Sequence, residues 1–143
     1  MPQHIGLSDS VLFTSHISTR ALVATAVNGT AVDMAGWDDV AFLVQAGVFG
    51  TNGTLDGLIQ TAPDSGFNTV TNVTNSNLVQ IPAGNANSIV ILEVGRPTAR
   101  YVRLQLTGQT NGVTAGATAM QFRRNGILPP TQVAQQIIKI AQN

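Results

Sequence analysis

Apolar and polar side chains alternate along several short stretches of the chain, and this two-residue period predicts β-strands. The clearest stretch is residues 100–107, where apolar side chains at every second position alternate with polar ones. Residues 39–47 and 116–123 show a similar alternation. Residues 88–94 are apolar on both faces except at Glu93. That pattern is typical of a central strand, or of a strand covered by a neighbouring subunit.

Weaker strand patterns and frequent turn dipeptides fill the rest of the chain. The weaker candidates are residues 11–17, 21–27, 54–61 and 67–73. Asn-Gly pairs, which tolerate the positive φ angles of tight hairpins, occur at Asn28-Gly29, Asn52-Gly53, Asn111-Gly112 and Asn125-Gly126. Short strands separated by Gly, Asn and Pro predict an all-β fold, a jelly-roll-like two-sheet β-sandwich of about eight strands.

The chain changes character at Pro129 and Pro130, because two prolines cannot continue a central strand. We therefore expect a β-sandwich domain over residues 1–128 and a C-terminal arm or helix over residues 129–143. Thr131 is a candidate N-cap for a helix in this arm. Its apolar positions near helical spacing are Val133, Ile137, Ile138 and Ala141, whereas Ile140 interrupts the stripe. So short a helix needs to dock, either on its own domain or on another chain.

The amino-acid composition excludes several classes of protein. The 143 residues are 43% hydrophobic, enough to close a core, and only 10% charged, with a net charge of zero. Near-neutral charge argues against direct binding to nucleic acid or to an anionic membrane, since both favour a cationic excess. Cysteine is absent, which excludes disulfides and thiolate chemistry. The sequence also lacks a recognisable export signal and any apolar run long enough to span a membrane.

Few residues are suited to catalysis. The two histidines, His4 and His16, lie twelve positions apart without the close spacing of a metallohydrolase site. Asp38 and Asp39 are adjacent, so on a strand they point to opposite faces and form a polar turn more readily than a carboxylate pair. Phosphate-binding loops and nucleophile elbows are not found. We expect no enzyme activity, no metal, no cofactor and no small-molecule substrate.

The cations are unevenly distributed along the chain. Five of the seven are arginines in the C-terminal half: Arg96, Arg100, Arg103, Arg123 and Arg124. Arginine suits planar pairing with carboxylates across a protein interface, so these residues are candidates for binding a partner. The apolar residues of the C-terminal arm, Val133, Ile137, Ile138 and Ile140, are candidates for the same role. Pairing of the arginines with the domain's own aspartates is an equally open interpretation.

Several segments together resemble a known family. They are residues 36–44 (Gly-Trp-Asp-Asp-Val-Ala-Phe-Leu-Val), residues 100–106 (Arg-Tyr-Val-Arg-Leu-Gln-Leu) and residues 116–120 (Gly-Ala-Thr-Ala-Met), followed by Pro129-Pro130. In this order they are similar to small head decoration (cement) proteins of tailed bacteriophages. The resemblance covers roughly residues 30–130, beyond which this chain adds residues 131–143.

The resemblance implies a capsid decoration protein, a homotrimer that binds the outside of the assembled head shell. Its partner would be the major capsid protein, which it would bridge and stabilise against internal DNA pressure. The protein would be made in the cytoplasm of the host bacterium and located on the capsid exterior.

Two other functions remain open. A carbohydrate-binding jelly roll would use Trp37 or Tyr101 as a platform on which a sugar stacks. A neck or tail-completion protein of the same virion would share the composition but assemble as a ring.

Overall fold

The computed structural model describes residues 11–123 together with the backbone of residues 136–141. These residues form eleven β-strands and a 3-10 turn at Ala83–Asn85, and they include no α-helix. The strands are β1 (Val11–Leu22), β2 (Thr25–Asn28), β3 (Val32–Asp33), β4 (Asp39–Phe49), β5 (Thr54–Ala62), β6 (Thr71–Asn72), β7 (Ile81–Pro82), β8 (Ser88–Gly95), β9 (Tyr101–Gln109), β10 (Val113–Phe122) and β11 (Gln136–Ala141).

The strands form two sheets. Sheet 1 has the order β1-β10-β4-β8-β11, and sheet 2 has the order β2-β9-β5-β6, with β3 also pairing with β9 and β7 with β5. Neighbouring strands are antiparallel except β11, which runs parallel to β8. The predicted all-β, two-sheet sandwich is therefore confirmed, and β8 is the central strand that its apolar pattern predicts.

Side-chain alternation places the core between the sheets. On β9, the clearest predicted strand, Val102, Leu104 and Leu106 are fully buried, whereas the residues between them are partly exposed. In sheet 1, Phe42 and Leu92 are opposite each other on β4 and β8 and are also fully buried. Because successive side chains alternate across a strand, these positions all point inward, and burial of this apolar area stabilises the sandwich.

The outer faces of the two sheets differ in polarity. Sheet 2 presents polar side chains, including the pair Gln60 and Arg103 on β5 and β9. Sheet 1 presents apolar ones, including Leu43 opposite Ile91 and Phe13 opposite Met120. The outer face of sheet 1 is thus the more apolar surface.

The Asn-Gly pairs have different roles. Asn52 and Gly112 have φ angles of +57° and +78°, and both lie in turns between consecutive strands, as predicted. Asn28-Gly29 does not form a hairpin. It leads from β2 towards β3, two strands that pair with the same neighbour, β9. Asn125-Gly126 lies outside the described residues.

Of the two forms left open for the C-terminal arm, residues 136–141 adopt the extended one and form β11, not a helix. The strand pairs from Gln136 opposite Val90 to Ala141 opposite Gly95. Three β-branched residues, Ile137, Ile138 and Ile140, favour extended backbone, and the edge of β8 supplies hydrogen-bond partners that a short isolated helix lacks. Thr131, Val133 and the expected domain boundary at residues 128–129 lie outside the described residues.

We expect Phe42→Ala to lower the free energy of unfolding by about 3–5 kcal/mol, because it leaves a cavity where the two sheets meet. Val48→Ala is the matched control, since Val48 is 70% exposed and its truncation leaves no cavity. Urea denaturation of the two variants measures the difference. A similar loss in both would contradict the assigned core.

Candidate interaction surface

Three of the predicted arginines converge at one end of the sandwich. Strands β8 and β10 end there and β4 begins there, since Asp39 on β4 is opposite both Gly95 and Phe122. The segments that join these strands to their neighbours carry Arg96, Arg100 and Arg123, and Trp37 lies among them. We call these four residues the arginine end.

Arg100 is held by an aspartate of the same chain. Its Nε and Nη2 donate hydrogen bonds to the two carboxylate oxygens of Asp33, at 2.9 and 2.8 Å. The hydrogen bonds from Arg100, and next the backbone N–H of Ala35, lower the pKa of Asp33 to about 2. The same pairing raises the pKa of Arg100. The guanidinium also lies 5.2 Å from the ring centroid of Tyr101. Two planar contacts thus fix the direction of an exposed side chain.

Arg123 is held in place by Trp37 and Gly36. Its Nε donates a hydrogen bond to the carbonyl oxygen of Gly36 at 2.9 Å, and its guanidinium lies 5.4 Å from the Trp37 ring centroid. Gly36 has a φ of +81°, a conformation that glycine adopts without the penalty other residues incur. Trp37 also packs against the hydrophobic core. The indole therefore anchors this arginine to the body of the domain.

Arg96 lies in the segment that joins β8 to β9 and has a φ of +50°. Its backbone N–H lies 2.9 Å from the carbonyl oxygen of Asp38 and 3.1 Å from Oδ1 of Asp39, close enough to donate to both. These contacts tie the start of β4 to the end of β8. Asp38 and Asp39 accordingly help to build the end of the sandwich, consistent with the predicted polar turn.

A shallow depression of about 500 Å³ lies between these segments. Its lining residues are Met34, Ala35, Trp37, Asp38, Arg96, Pro97, Thr98, Ala99 and Arg100. Close by, the exposed side chains of Leu12 and Phe13 lie near the start of β1, where these residues are opposite Gln121 and Met120. Arginine, tryptophan and methionine beside apolar side chains are typical of the centre of a protein interface.

Arg103 does not join the other three. It lies on the outer face of sheet 2, where its Nε donates to Oε1 of Gln60 at 2.8 Å and its guanidinium lies 4.1 Å from the Phe67 ring centroid. Partial burial lowers the pKa of Arg103. Its contacts are with a glutamine and a phenylalanine of its own domain. The pairing with an aspartate of the same domain that the sequence left open occurs at Arg100, with Asp33.

The remaining predicted site residues are placed elsewhere or not described. Ile137, Ile138 and Ile140 lie on β11, separated from β10 by β4 and β8. Arg124 and Val133 lie outside the described residues. Sequence reasoning missed Asp33 as the partner of Arg100, because 67 residues separate them. The only available signal was the concentration of aspartates in the N-terminal half.

Within residues 11–123 and 136–141, no group of three or more His, Cys, Asp or Glu side chains is placed to hold a metal ion. Those same residues include no helix long and apolar enough to cross a membrane. His16 lies in the interior of the sandwich, away from the arginine end.

Replacing Arg100 by Gln should raise the pKa of Asp33 from about 2 towards its ordinary value of 3.8, because the main cause of the shift is removed. The depressed pKa also means that Asp33 stabilises the fold above pH 3.8, a contribution lost as the pH falls through 2. Carbon-detected NMR titration of the carboxyl group measures the pKa. Arg20→Gln is the control and should leave it unchanged, since Arg20 bonds only within β1, to Ser18.

Replacing Arg123 by Ala should expose the ring of Trp37 and shift its fluorescence emission to longer wavelength. Trp37 is the single tryptophan of the chain, so the signal has one source. Arg103→Ala is the matched control, because it removes a guanidinium stacked on a different ring. Equal spectra for wild type and Arg123→Ala would contradict the stacking of Arg123 on Trp37.

Comparison with known structures shows that this fold occurs elsewhere. The chain is similar to the PBSX exported protein XepA, with a TM-score of 0.56 and 15% sequence identity, over 88% of this chain and 41% of that chain. It therefore spans less than half the length of XepA. A protein of disulfide-linked pili, the Bacillus endospore appendages, is matched with a TM-score of 0.46 and 15% identity, over 80% of this chain and 88% of that chain. No family model and no curated protein matches the sequence. The similarity to XepA shows a shared fold.

Proposed function

We propose that this chain is a non-enzymatic structural component of a bacteriophage particle. In its specific form, the proposal is a head decoration protein that binds the outside of the assembled shell as a homotrimer. It would stabilise the shell by bridging neighbouring major capsid proteins. The protein would act by binding, without making or breaking a covalent bond.

The observation that best supports this proposal is the arginine end. Arg100 and Arg123 are each held by two contacts within the chain, so little conformational entropy is lost when a partner binds them. Trp37 and the nearby Phe13 add apolar area at the same end. A pre-arranged surface of this composition suits a protein partner with carboxylates beside an apolar patch.

The net charge and the fold of the chain are compatible with many copies packed closely on a capsid shell. Net charge is zero, so many copies would repel each other only weakly. The two-sheet sandwich is a rigid body, and weak contacts made by each copy of a trimer would combine through high effective concentration. The chain also shares its fold with the PBSX exported protein XepA.

The structure offers less support for a sugar platform. Stacking of a sugar needs an open aromatic face, whereas Trp37 packs against the core and carries the Arg123 guanidinium over its ring. Tyr101 similarly lies beside the Arg100 guanidinium. The arrangement of these two aromatic residues therefore suits a protein partner better than a stacked sugar.

The test mixes the purified protein with expanded, undecorated phage heads and images the particles by electron cryomicroscopy. We expect regular trimeric density on the outer shell. Arg96→Ala combined with Arg100→Ala should weaken binding by at least tenfold, the loss of about 1.4 kcal/mol expected when interface anchors are truncated. Arg20→Ala is the matched control, because Arg20 is opposite Ala115 on β1, away from the arginine end.

Three results would contradict the proposal. Density confined to the portal vertex would favour a neck or tail-completion protein. Full binding by the double variant would exclude the arginine end as the docking surface. Binding to a sugar array that is lost in Trp37→Ala would favour the carbohydrate-binding function.

A further inference from the structure

His16 is drawn into the interior by an irregularity in β1. The pairing of β1 with β10 shifts between Ser15 and Ile17, so the regular alternation of side chains is broken at His16. Both His16 and Ile17 are consequently buried, each with 4% of its surface exposed. Bulges of this kind redirect a side chain, and here a polar ring enters an apolar core.

The ring takes the place of a missing strand partner. Strand β2 pairs with residues 105–108 of β9, and strand β3 pairs with residues 101–102 of β9. The backbone of Leu104 therefore lies between these two pairings. The carbonyl of Leu104 accepts a hydrogen bond from the N–H of Gly29 at 2.8 Å. The N–H of Leu104 donates to Nε2 of His16 at 2.9 Å. This bond crosses from sheet 1 to sheet 2 and satisfies a buried donor.

The contact requires a neutral imidazole. Because Leu104 donates to Nε2, that nitrogen must carry a lone pair, and the ring proton then lies on Nδ1. Nδ1 is buried without a hydrogen-bond partner. The ring lies 4.7 Å from the ring of Phe42, and a Cβ on Gly29 would overlap it. The site is therefore shaped for an uncharged ring, and among residues 11–123 no hydrogen-bond acceptor meets Nδ1 to stabilise a cation.

The charged side chains on the surrounding elements point elsewhere. On β1, Arg20 bonds to Ser18, and on β9, Arg103 stacks on Phe67 at the outer face. Asp33 of β3 pairs with Arg100, and Asp39 of β4 lies at the arginine end. Strands β2 and β10 contain no charged residue. No carboxylate of these elements faces the imidazole.

We propose that His16 is an acid-sensitive latch between the two sheets, and that its protonation opens the sandwich along β1. Protonated Nε2 becomes a donor facing the Leu104 N–H, so the bond between the sheets is lost and a charge is left in the core. Three contacts with β1 would then be lost: the hydrogen bond from Leu104 to the ring, the packing of Gly29 against the ring, and the hydrogen bond from the Thr30 N–H to the His16 carbonyl. The proposal concerns the fold itself and does not depend on the proposed function.

The direction of the pH effect follows from linkage. Burial lowers the pKa of His16 from 6.5 to about 4. Between these values the unfolded chain binds a proton and the folded chain does not, so His16 contributes full stability above pH 6.5 and loses it as the pH falls. A difference of this size lowers the folded-to-unfolded ratio by about 100-fold at pH 4 relative to pH 7.

The test compares His16→Gln with His4→Gln in urea denaturation at a series of pH values from 7.5 to 4. Gln retains an acceptor for the Leu104 N–H but does not titrate, so His16→Gln should not show this decrease of about 100-fold. His4→Gln should keep it and show the pH dependence of the wild type. Carboxylates are common to both variants and cancel in the comparison. Identical pH profiles for the two variants would overturn the proposal.

Two measurements on His4→Gln, in which His16 is the single histidine, cover the case in which His16→Gln does not fold. NMR titration of the remaining imidazole should give a pKa near 4, and titration near 6.5 would overturn the proposal. Hydrogen exchange should show that the amides of Leu104 and Thr30 lose protection between pH 6 and 4.5 before the amides that pair β4 with β8. Uniform loss of protection across both sheets would exclude a local opening along β1.

Discussion

Phe42, Leu92 and Leu104 meet between the two sheets, and the position of every other feature depends on that contact. Each sheet buries one face against the other, which fixes the register of its strands, since a slip of one residue would turn the apolar side chains outward. Because the register is fixed, the positions at which the strands end are fixed as well. The convergence of Arg96, Arg100 and Arg123 is thus a consequence of core packing.

The arginines show that binding residues can be organised by the chain itself before a partner is present. Arg100 and Arg123 each combine a hydrogen bond with an aromatic contact, and such solvent-exposed contacts contribute little to stability. Their larger effect is to limit the directions that a long side chain can adopt. Arg103 has the same kind of contacts on the polar face of sheet 2, so an aromatic partner alone does not identify a docking residue.

His16 is one of the buried polar residues, and its ring connects the two sheets by a hydrogen bond. An apolar residue at position 16 would leave the Leu104 N–H without an acceptor, and a charged residue would carry a desolvation cost. Neutral histidine meets both demands only while it stays unprotonated. The apolar character of the surrounding contacts thus makes this position sensitive to acid.

Local patterns in the sequence determined much of the secondary structure. The alternation in residues 39–47 and 100–107 placed two long strands to within about two residues, because burial on one face imposes a two-residue period. The continuous apolar run of residues 88–94 placed a third, β8, equally well. The same reasoning placed β10 and β5, but the hairpin expected at residues 28–29 does not form. It failed where local preference is ambiguous, as in residues 136–141, whose isoleucines fit a helix or a strand until the edge of β8 supplies partners.

Relationships between distant residues were decided by the tertiary structure alone. Asp33 and Arg100 are 67 positions apart, and His16 and Leu104 are 88 apart, so no local period or propensity brings them together. The sequence by itself determined a neutral, cysteine-free β-sandwich with arginines concentrated in its C-terminal half. Which arginines share a surface, and which histidine is buried, depended on how two sheets align. That alignment is a collective result of core packing, since each strand's position is set by contacts with strands far away in the chain.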